Sequence, residues 1–312
     1  MVRRNQPLVS VIIPTLDRKK QLLNCVNSII ASNFKDYEII IIDNGSKSSI
    51  SEIVNTNPEI IRVITNTKNK GLACARNQGI LASNGEYLLF VDDDNILENN
   101  MIRMMVDTLH DRNDVGIVAP KTFYKDDPYR IWFYGAGLNR MTSRAEFPYF
   151  DVVDKKNVIN SNMKVSSVHN CFMIRKDVFE KVGMFDEKMF VTHTEFDLCM
   201  KAEPHYSILL VGKAICYHDK PREVKKKTIR RYGFTNEYRV YYLARNRAVI
   251  IKRYSNLIHK FMFIVIFYPL FTIYYSILLI SFRKMNYLKF HIRGTIAGIY
   301  YFISDKFMEV KF

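Results

Sequence analysis

One stretch, Tyr87-Leu-Leu-Phe-Val-Asp-Asp-Asp-Asn95, constrains the fold of this chain more than any other. It is a short apolar run rich in strand formers, set between Gly85 and Asn95, and its length fits a buried strand better than a helix. The run ends abruptly in three carboxylates. At the end of such a strand they project into the crevice where open α/β sheets bind their ligands. Acids packed this closely repel one another, and a divalent cation is the commonest compensation. Oxygen ligands of this kind suit Mg²⁺ or Mn²⁺, which take one or two protein carboxylates plus substrate phosphates. The competing reading is an acidic, solvated turn that caps a helix starting near Leu97.

The rest of the N-terminal half supplies the frame for that strand. Val9-Ser-Val-Ile-Ile13 reads as a buried strand closed by Pro14-Thr15. Leu22, Leu23, Val26, Ile29 and Ile30 recur at helical spacing, with Asp17 placed as the N-cap. Tyr37–Ile42 is a second strand, ended by Asp43-Asn-Gly-Ser46. A helical segment near Ser49–Asn55 leads to a third strand at Ile60–Thr65, then a helix at Gly71–Ala82 and a fourth strand at Glu86–Val91. This alternation predicts an α/β fold with a doubly wound, mostly parallel sheet flanked by helices. Asp43 and Asp92–Asp94 then share one carboxyl edge, where a single ligand can touch both.

Two familiar nucleotide cradles are missing. No Gly-x-Gly-x-x-Gly follows the first strand, and Gly135-Ala-Gly137 lacks both the third glycine and the helix context. There is no Gly-x-x-x-x-Gly-Lys loop. A nucleotide bound here would do without a glycine-rich cradle, which leaves a metal ion as the partner of its phosphates.

Further along, Val115–Ala119 reads as a strand and residues 120–165 as irregular structure rich in aromatics (Tyr124, Tyr129, Trp132, Phe133, Tyr134). That region is either a binding surface or a satellite hydrophobic cluster. Ser167–Ile174 is a strand, and Lys176–Val182 a short helix ending at Gly183. Thr194 is placed to cap a helix whose first turn carries Glu195 and Asp197, where acids also suit the helix dipole. Ser207–Val211 and Ala214–Tyr217 are short strands, the second delivering His218 and Asp219.

Charge is unevenly distributed. Of the formal net +15, much sits in residues 219–260, which hold 13 Lys or Arg against 3 acids. Such a block reads as a contact surface for phosphates, in nucleic acid or in anionic lipid headgroups. Five scattered cysteines with no Cys-x-x-Cys pair argue against a zinc site or a disulfide framework and favour a reducing compartment. Met1–Pro7 is polar and Val9–Ile13 too short for a signal peptide's apolar core.

Assembled, these pieces resemble the family 2 glycosyltransferases of the GT-A fold over roughly residues 8–250. The motifs that carry the resemblance are Val9-Ser-Val-Ile-Ile-Pro-Thr15, Ile41-Ile-Asp-Asn-Gly-Ser46, Asn69-Lys-Gly-Leu-Ala-Cys-Ala-Arg-Asn77 and Phe90-Val-Asp-Asp-Asp94. Gly183-Met-Phe-Asp-Glu187, Thr194-Glu-Phe-Asp-Leu-Cys-Met-Lys201 and Tyr217-His218 complete the set. By that resemblance Pro14, Thr15 and Asp43 hold the base and ribose of a nucleotide-diphosphate sugar, with Asp17, Asn69, Arg76, Asp92 and Asp93 also on the donor side. A carboxylate that accepts a base N–H discriminates better than an apolar slot. Arg76 reads alternatively as a surface helix arginine. Asp92 and Asp94 match the family's Asp-x-Asp, with Asp94 the direct ligand of Mn²⁺ or Mg²⁺. His218 is either a further ligand or merely hydrogen-bonded.

Glu195 falls where the family has the Asp of a Glu-Asp pair, the general base that deprotonates the acceptor hydroxyl. Here the pair is Thr194-Glu195, and Asp197 is the second candidate. Attack opposite the leaving group implies inversion at the anomeric carbon. His169, in Ser167-Val-His-Asn170, is placed to shape donor or acceptor choice. No Gln-x-x-Arg-Trp motif is present and the sole tryptophan is Trp132, which argues against a processive synthase.

Residues 221–252 read as a basic, tyrosine-rich helical region, and Phe261–Phe282 as about 22 residues without a charge, interrupted by Pro269. Lys252, Arg253 and Lys260 precede this run and Arg283, Lys284, Lys289 and Arg293 follow it, so the flanking charge chooses no orientation. One span, a re-entrant or interfacial hairpin, and a buried core helix all remain open. Gly294–Ile303 is too short to span alone. The expected organisation is a catalytic domain at 1–219 and a helical, membrane-associated region at 220–312. The expected activity is metal-dependent sugar transfer at the cytoplasmic face to a lipid-linked or other saccharide acceptor, whose diphosphate would sit near Lys225–Arg231. A donor-binding pseudoenzyme is the alternative. A nucleic-acid-binding protein would leave the carboxylate edge unexplained, so no nucleic-acid partner is expected.

Overall fold

The computed structural model describes residues 6–50, 53, 57–155, 158–219 and 229–309. In chain order its elements are β1 (Val9–Thr15), α1 (Lys19–Ile30), β2 (Tyr37–Asp43), β3 (Ile61–Thr65), α2 (Leu72–Ala82), β4 (Tyr87–Val91) and β5 (Asn95–Leu97). Then come α3 (Met101–Asp111), β6 (Val115–Tyr124), β7 (Ile131–Phe133), β8 (Gly137–Asn139), β9 (Arg144–Glu146), β10 (Met163–Lys164) and β11 (Cys171–Arg175). The chain continues with α4 (Lys176–Val182), α5 (Thr194–Ala202), β12 (Ser207–His218) and α6 (Glu237–Tyr254). It ends with α7 (Leu257–Ser281) and α8 (Met285–Ser304).

The chain divides into two compact units. The first comprises Met1–Gly137, Phe147–Glu187 and Leu198–Arg222; the second comprises Leu138–Glu146, Lys188–Asp197 and Glu223–Phe312. Two segments that precede residue 219 thus group with the C-terminal helices, among them the first turn of α5.

The first unit is built on one sheet in the order β10-β12-β6-β11-β4-β1-β2-β3. Its β4-β1-β2-β3 half is parallel, as the alternation of strands and helices requires. Beyond β4 the sheet is mixed: β11 runs antiparallel to both β4 and β6, while β12 lies parallel to β6. Strands β1, β2 and β4 are almost entirely buried because both faces are covered, while the edge strand β3 is partly exposed. Leu22, Cys25, Val26 and Ile29 of α1 and Met101, Ile102, Met105 and Leu109 of α3 fill the same core as Val9, Val11, Ile39 and Leu89.

Several local expectations need correction. Asp17 does not cap α1: it lies in the left-handed region at φ 56, and Arg18 precedes the helix without a side-chain cap. Its carboxylate instead accepts the Lys47 N–H at 2.8 Å, while its own N–H donates to Ser46 Oγ at 2.9 Å. The loops after β1 and β2 are thereby tied together. No helix starts near Leu97, because Asn95–Leu97 pairs with β12 as β5. The strand expected at Ser167–Ile174 starts at Cys171, since Ser167 makes only an isolated bridge to Ala136 and Asn170 is left-handed at φ 46. Strand β6 runs on to Tyr124, and the two strands expected after residue 206 are one bulged strand, β12. Thr194 is the first residue of α5 rather than a residue ahead of it. The helix expected at Ser49–Asn55 and the basic run at 221–228 fall largely outside the described residues.

The aromatic region after β6 is anchored by one ion pair. Lys121, fully buried, donates to Asp154 Oδ2 at 2.9 Å and to the Ile159 carbonyl at 2.6 Å. Asp154 Oδ1 accepts the Val158 N–H at 2.8 Å. Breaking a buried pair leaves a charge without compensation, so Asp154→Asn is expected to cost roughly 3–5 kcal/mol in urea denaturation. Lys121→Met combined with Asp154→Leu should recover most of that loss; equal destabilisation by the single and the double replacement would contradict the pair's role.

Candidate active site

The register of β1 against β4 builds the centre of the site. Ile12 lies opposite Phe90, so Thr15 and Asp93, three residues further along each chain, come level at the carboxyl edge. Thr15 Oγ donates to Asp93 Oδ2 at 2.7 Å. Arg18, which follows on the same loop, reaches Asp93 Oδ1 at 3.1 Å and Asp94 Oδ2 at 2.8 Å through one nitrogen. The other oxygen of Asp94 faces His218 Nε2 at 3.4 Å. His218 arrives at the end of β12, whose next residue, Asp219, donates its N–H to the Asp94 carbonyl at 2.7 Å.

The third acid has its own counter-charge. Asp92 Oδ1 lies 3.3 Å from a terminal nitrogen of Arg76, on the first turns of α2. Arg76 is no surface residue: its side chain is fully buried between the rings of Phe172 and Phe185, 5.3 and 5.4 Å from their centroids. Charge stacked on aromatic faces and paired with a carboxylate is held rigidly.

These surroundings drive the two neighbouring acids apart. Burial pushes the Asp93 carboxyl up to about 6, even though Arg18 and the Thr15 hydroxyl pull the other way. Asp94 is also buried, but the hydrogen bond and charge of His218, together with Arg18, outweigh desolvation and hold it down at about 2. Asp94 is therefore an anion at neutral pH.

At the end of β2 on the same edge, Asp43 is buried and accepts the Ser46 N–H at 2.9 Å. Its neighbour Asn44 donates to Asn69 Oδ1 at 3.0 Å and to the Gly71 carbonyl at 3.2 Å, and accepts the Lys70 N–H at 3.0 Å. Asn44 thereby pins the loop that carries Asn69. Gly45, at φ 92, lets that loop approach: a Cβ there would press on the Lys68 backbone. Pro14 is buried within β1.

Two residues that sequence reasoning passed over shape the site. One is Arg18, the first cation after β1; three adjacent acids with too few counter-charges were the signal that could have found it. The other is Trp132 on β7, whose ring stacks on His218 at 4.1 Å and on His169 at 5.8 Å. Trp132 thus buttresses the imidazole that faces Asp94, and it places His169 in the same cluster. No sequence signal marks that pairing, because β7 and β12 are far apart in the chain.

Among the described residues no group of three or more His, Cys, Asp or Glu side chains forms a metal cage. Asp94 and His218 offer one oxygen and one nitrogen donor side by side. A two-donor pair fits Mn²⁺ or Mg²⁺, which complete their shells with substrate phosphates and water.

Glu195 belongs to the second unit, on the first turn of α5, where it is buried and its Oε2 accepts the Thr194 hydroxyl at 2.8 Å. In that unit Asp197 Oδ1 accepts from Arg253 and from the Tyr254 hydroxyl, both at 2.8 Å. Burial and the adjacent Asp197 carboxylate hold the Tyr254 phenol well above its usual value. Asp197 therefore fastens α5 to α6. His193, just ahead of α5 and left-handed at φ 61, is half-buried and pushed down to about 3, first by desolvation and then by Arg247.

The raised Asp93 yields a pH prediction. Its folded pKa exceeds the usual carboxylate value, so the folded state binds the proton more tightly and this contribution to stability is lost as pH rises from about 4 through about 6. Asp93→Asn should remove that loss. Relative to the variant, the native chain should weaken by about 2 kcal/mol between pH 4.5 and pH 7.5, read from paired urea midpoints. A constant difference across that range would show that Asp93 is not held protonated by the fold.

Comparison with known proteins places this geometry. The family model described as "Glycosyl transferase family 2" matches residues 10–183. The chain is 26% identical over 215 residues to the glycosyltransferase GlyG of Streptococcus pneumoniae, covering 68% of each chain. It is 27% identical over 225 residues to the glycosyltransferase EpsJ of Bacillus subtilis, covering 70% of this chain and 63% of that one. Among solved structures, GalNAc-T7 with UDP, GalNAc and Mn²⁺ superposes with a TM-score of 0.58 at 17% identity, covering 83% of this chain and 54% of that one. Staphylococcus aureus TarS (residues 1–349) with UDP gives 0.53 at 17% identity, with 81% and 68% covered. The mixed sheet with flanking helices is the GT-A glycosyltransferase fold. With a matching model over more than half its length, the chain belongs to glycosyl transferase family 2.

Proposed function

We propose that the chain is an inverting, metal-dependent glycosyltransferase that moves a sugar from a nucleotide-diphosphate donor to the hydroxyl of a lipid-linked saccharide at the cytoplasmic face of a membrane. The observation that carries the reading is the Asp94–His218 pair at the carboxyl edge, beside Thr15 and Asp93, in a member of this family. The UDP bound by GalNAc-T7 and TarS supports a nucleoside diphosphate as the leaving group. Five free cysteines, four of them buried, support a reducing compartment.

In this reading Pro14, Thr15, Asp17, Asp43 and Asn69 line the base and ribose side. Arg76 acts through Asp92, fixing its carboxylate for the ribose. Asp94 and His218 would hold a divalent cation, whose Lewis acidity would offset the negative charge growing on the leaving diphosphate. Arg18, half exposed and already spanning two of the acids, offers a second positive charge to the same diphosphate. Glu195 takes the proton from the acceptor hydroxyl as its oxygen forms the new bond to the anomeric carbon. The bond from that carbon to the phosphate oxygen breaks, and the electron pair leaves with the nucleoside diphosphate. Attack and departure on opposite faces invert the anomeric centre.

Two expectations test the assignment. Asp94→Ala should abolish transfer and weaken Mn²⁺ binding, read as quenching of the sole tryptophan, Trp132, which stacks on His218. Undiminished quenching and transfer would sink the metal assignment. Glu195→Gln should retain donor affinity and lose transfer by roughly 10²–10⁴-fold, with partial recovery in Glu195→Asp. Asp197→Asn, which removes the anchor to Arg253 and Tyr254, should lower the melting temperature far more than the turnover of folded enzyme; the opposite pattern in the two residues would reverse their roles.

A further inference from the structure

Helix α7, with 25 residues, is long and apolar enough to cross a membrane. A crossing helix needs neighbours that enter the hydrocarbon with it, and α7 is docked on one that is strongly cationic. It lies antiparallel along α6: Leu279 packs with Val240, and Phe263 and Tyr268 pack with Ala248 and Ile251. The Tyr268 hydroxyl donates to the Ala244 carbonyl at 2.9 Å, and Arg247 donates to the Tyr275 hydroxyl at 3.0 Å. Helix α6 carries Arg239, Arg245, Arg247, Lys252 and Arg253 against Glu237 alone. Such a helix does not enter hydrocarbon, so α7 cannot cross while docked along it. Helix α8 is locked to both: a Cβ on Gly294 would meet the Tyr241 backbone, and one on Gly298 the Tyr268 hydroxyl.

The outer side is different. Leu257, Phe261, Leu270, Ile273, Ile277 and Ile280 are each at least 52% exposed and form a stripe running the whole helix, about 37 Å at 1.5 Å per residue. On α8, Ile296, Ile299 and Ile303 are exposed as well. No charged residue falls between Phe261 and Phe282. Cations mark both ends instead: Lys260 at one, the exposed Arg283 and Lys284 at the other. A second copy of this chain, pressed face to face, would set these like charges against one another. Anionic headgroups complement them.

We infer that α7 and the C-terminal half of α8 form a monotopic membrane-binding face, with α7 lying in the plane of the interface and Lys260, Arg283 and Lys284 at the level of the lipid phosphates. The inference rests on the membrane reading above and adds its geometry. Both ends of α7 then stay on the same side of the bilayer.

The test uses the full chain with sealed vesicles of phosphatidylcholine plus phosphatidylglycerol, and of phosphatidylcholine alone. Asn256→Cys and Met285→Cys, at the two ends of α7, are labelled from outside with a membrane-impermeant maleimide, and the modified peptides are identified by mass. Equal labelling of both, unchanged by detergent, with flotation stronger on the anionic vesicles, is the expected result. Ile273→Glu with Ile277→Glu should cut the floating fraction at least about tenfold at unchanged helix content, because both side chains are already exposed. Protection of one cysteine until detergent is added would overturn the in-plane geometry and leave the membrane reading standing. Absence of flotation, or a dimer in light scattering that the same two glutamates dissolve, would overturn both.

Discussion

Three consecutive carboxylates at one strand end are tolerated only because each finds a counter-group, and the first unit is organised around that requirement. Asp92 is met by Arg76 from α2, Asp93 by Thr15 and Arg18 from the β1–α1 connection, and Asp94 by Arg18 together with His218 from β12. Each partner comes from a different stretch of chain. The electrostatic cost of the cluster therefore becomes a set of long-range ties at the carboxyl edge. Replacing any one acid alters the charge balance felt by the other two.

The change from parallel to mixed pairing in the sheet serves the same end. Continued parallel winding would bring every strand to the edge in the same direction and fill it with loops alone. Strand β11 runs the other way beside β4, so the loop before it, with His169 and Asn170, arrives at the edge from outside the parallel half. Asn170 fixes that arrival: its carbonyl accepts the Asp92 N–H at 2.9 Å and its amide donates to Asn95 Oδ1 at 2.7 Å. Strand β12 then brings His218 to Asp94, and β7 brings Trp132 across to brace it.

What sequence made legible followed from local physics. Apolar runs of strand length, their carboxyl ends and the helices between them all report on neighbours within a few residues, so the parallel half and its acidic edge could be read directly. The helix faces of α1 and α3 follow from 3.6-residue spacing in the same way. What stayed hidden depends on pairing between distant segments. Asp17 has the chemistry of a cap and the position of one, yet it turns left-handed because the β2 loop offers it the Lys47 N–H. Arg76 could be read as a donor contact or as a surface helix arginine, and neither reading foresaw that Phe172 and Phe185, about a hundred residues on, close over it. The ends of β6 and β12 moved because each strand is lengthened by the other, not by its own composition.

The C-terminal helices show the same limit from the other direction. Tyrosines within α7 lower its hydropathy, and on composition alone they only blur the choice between a span and a core helix. Two of their hydroxyls are held by α6: Tyr268 donates to the Ala244 carbonyl and Tyr275 accepts from Arg247, so these two sit on the inner side of the helix. Tyr274, one residue round the helix, is exposed with the aliphatic stripe. The polar groups that make α7 a poor span by composition are thus the ones that fasten it to a cationic neighbour. They leave the opposite side almost purely apolar. In the interfacial placement proposed above, a helix divided in this way turns one side to protein and the other to lipid.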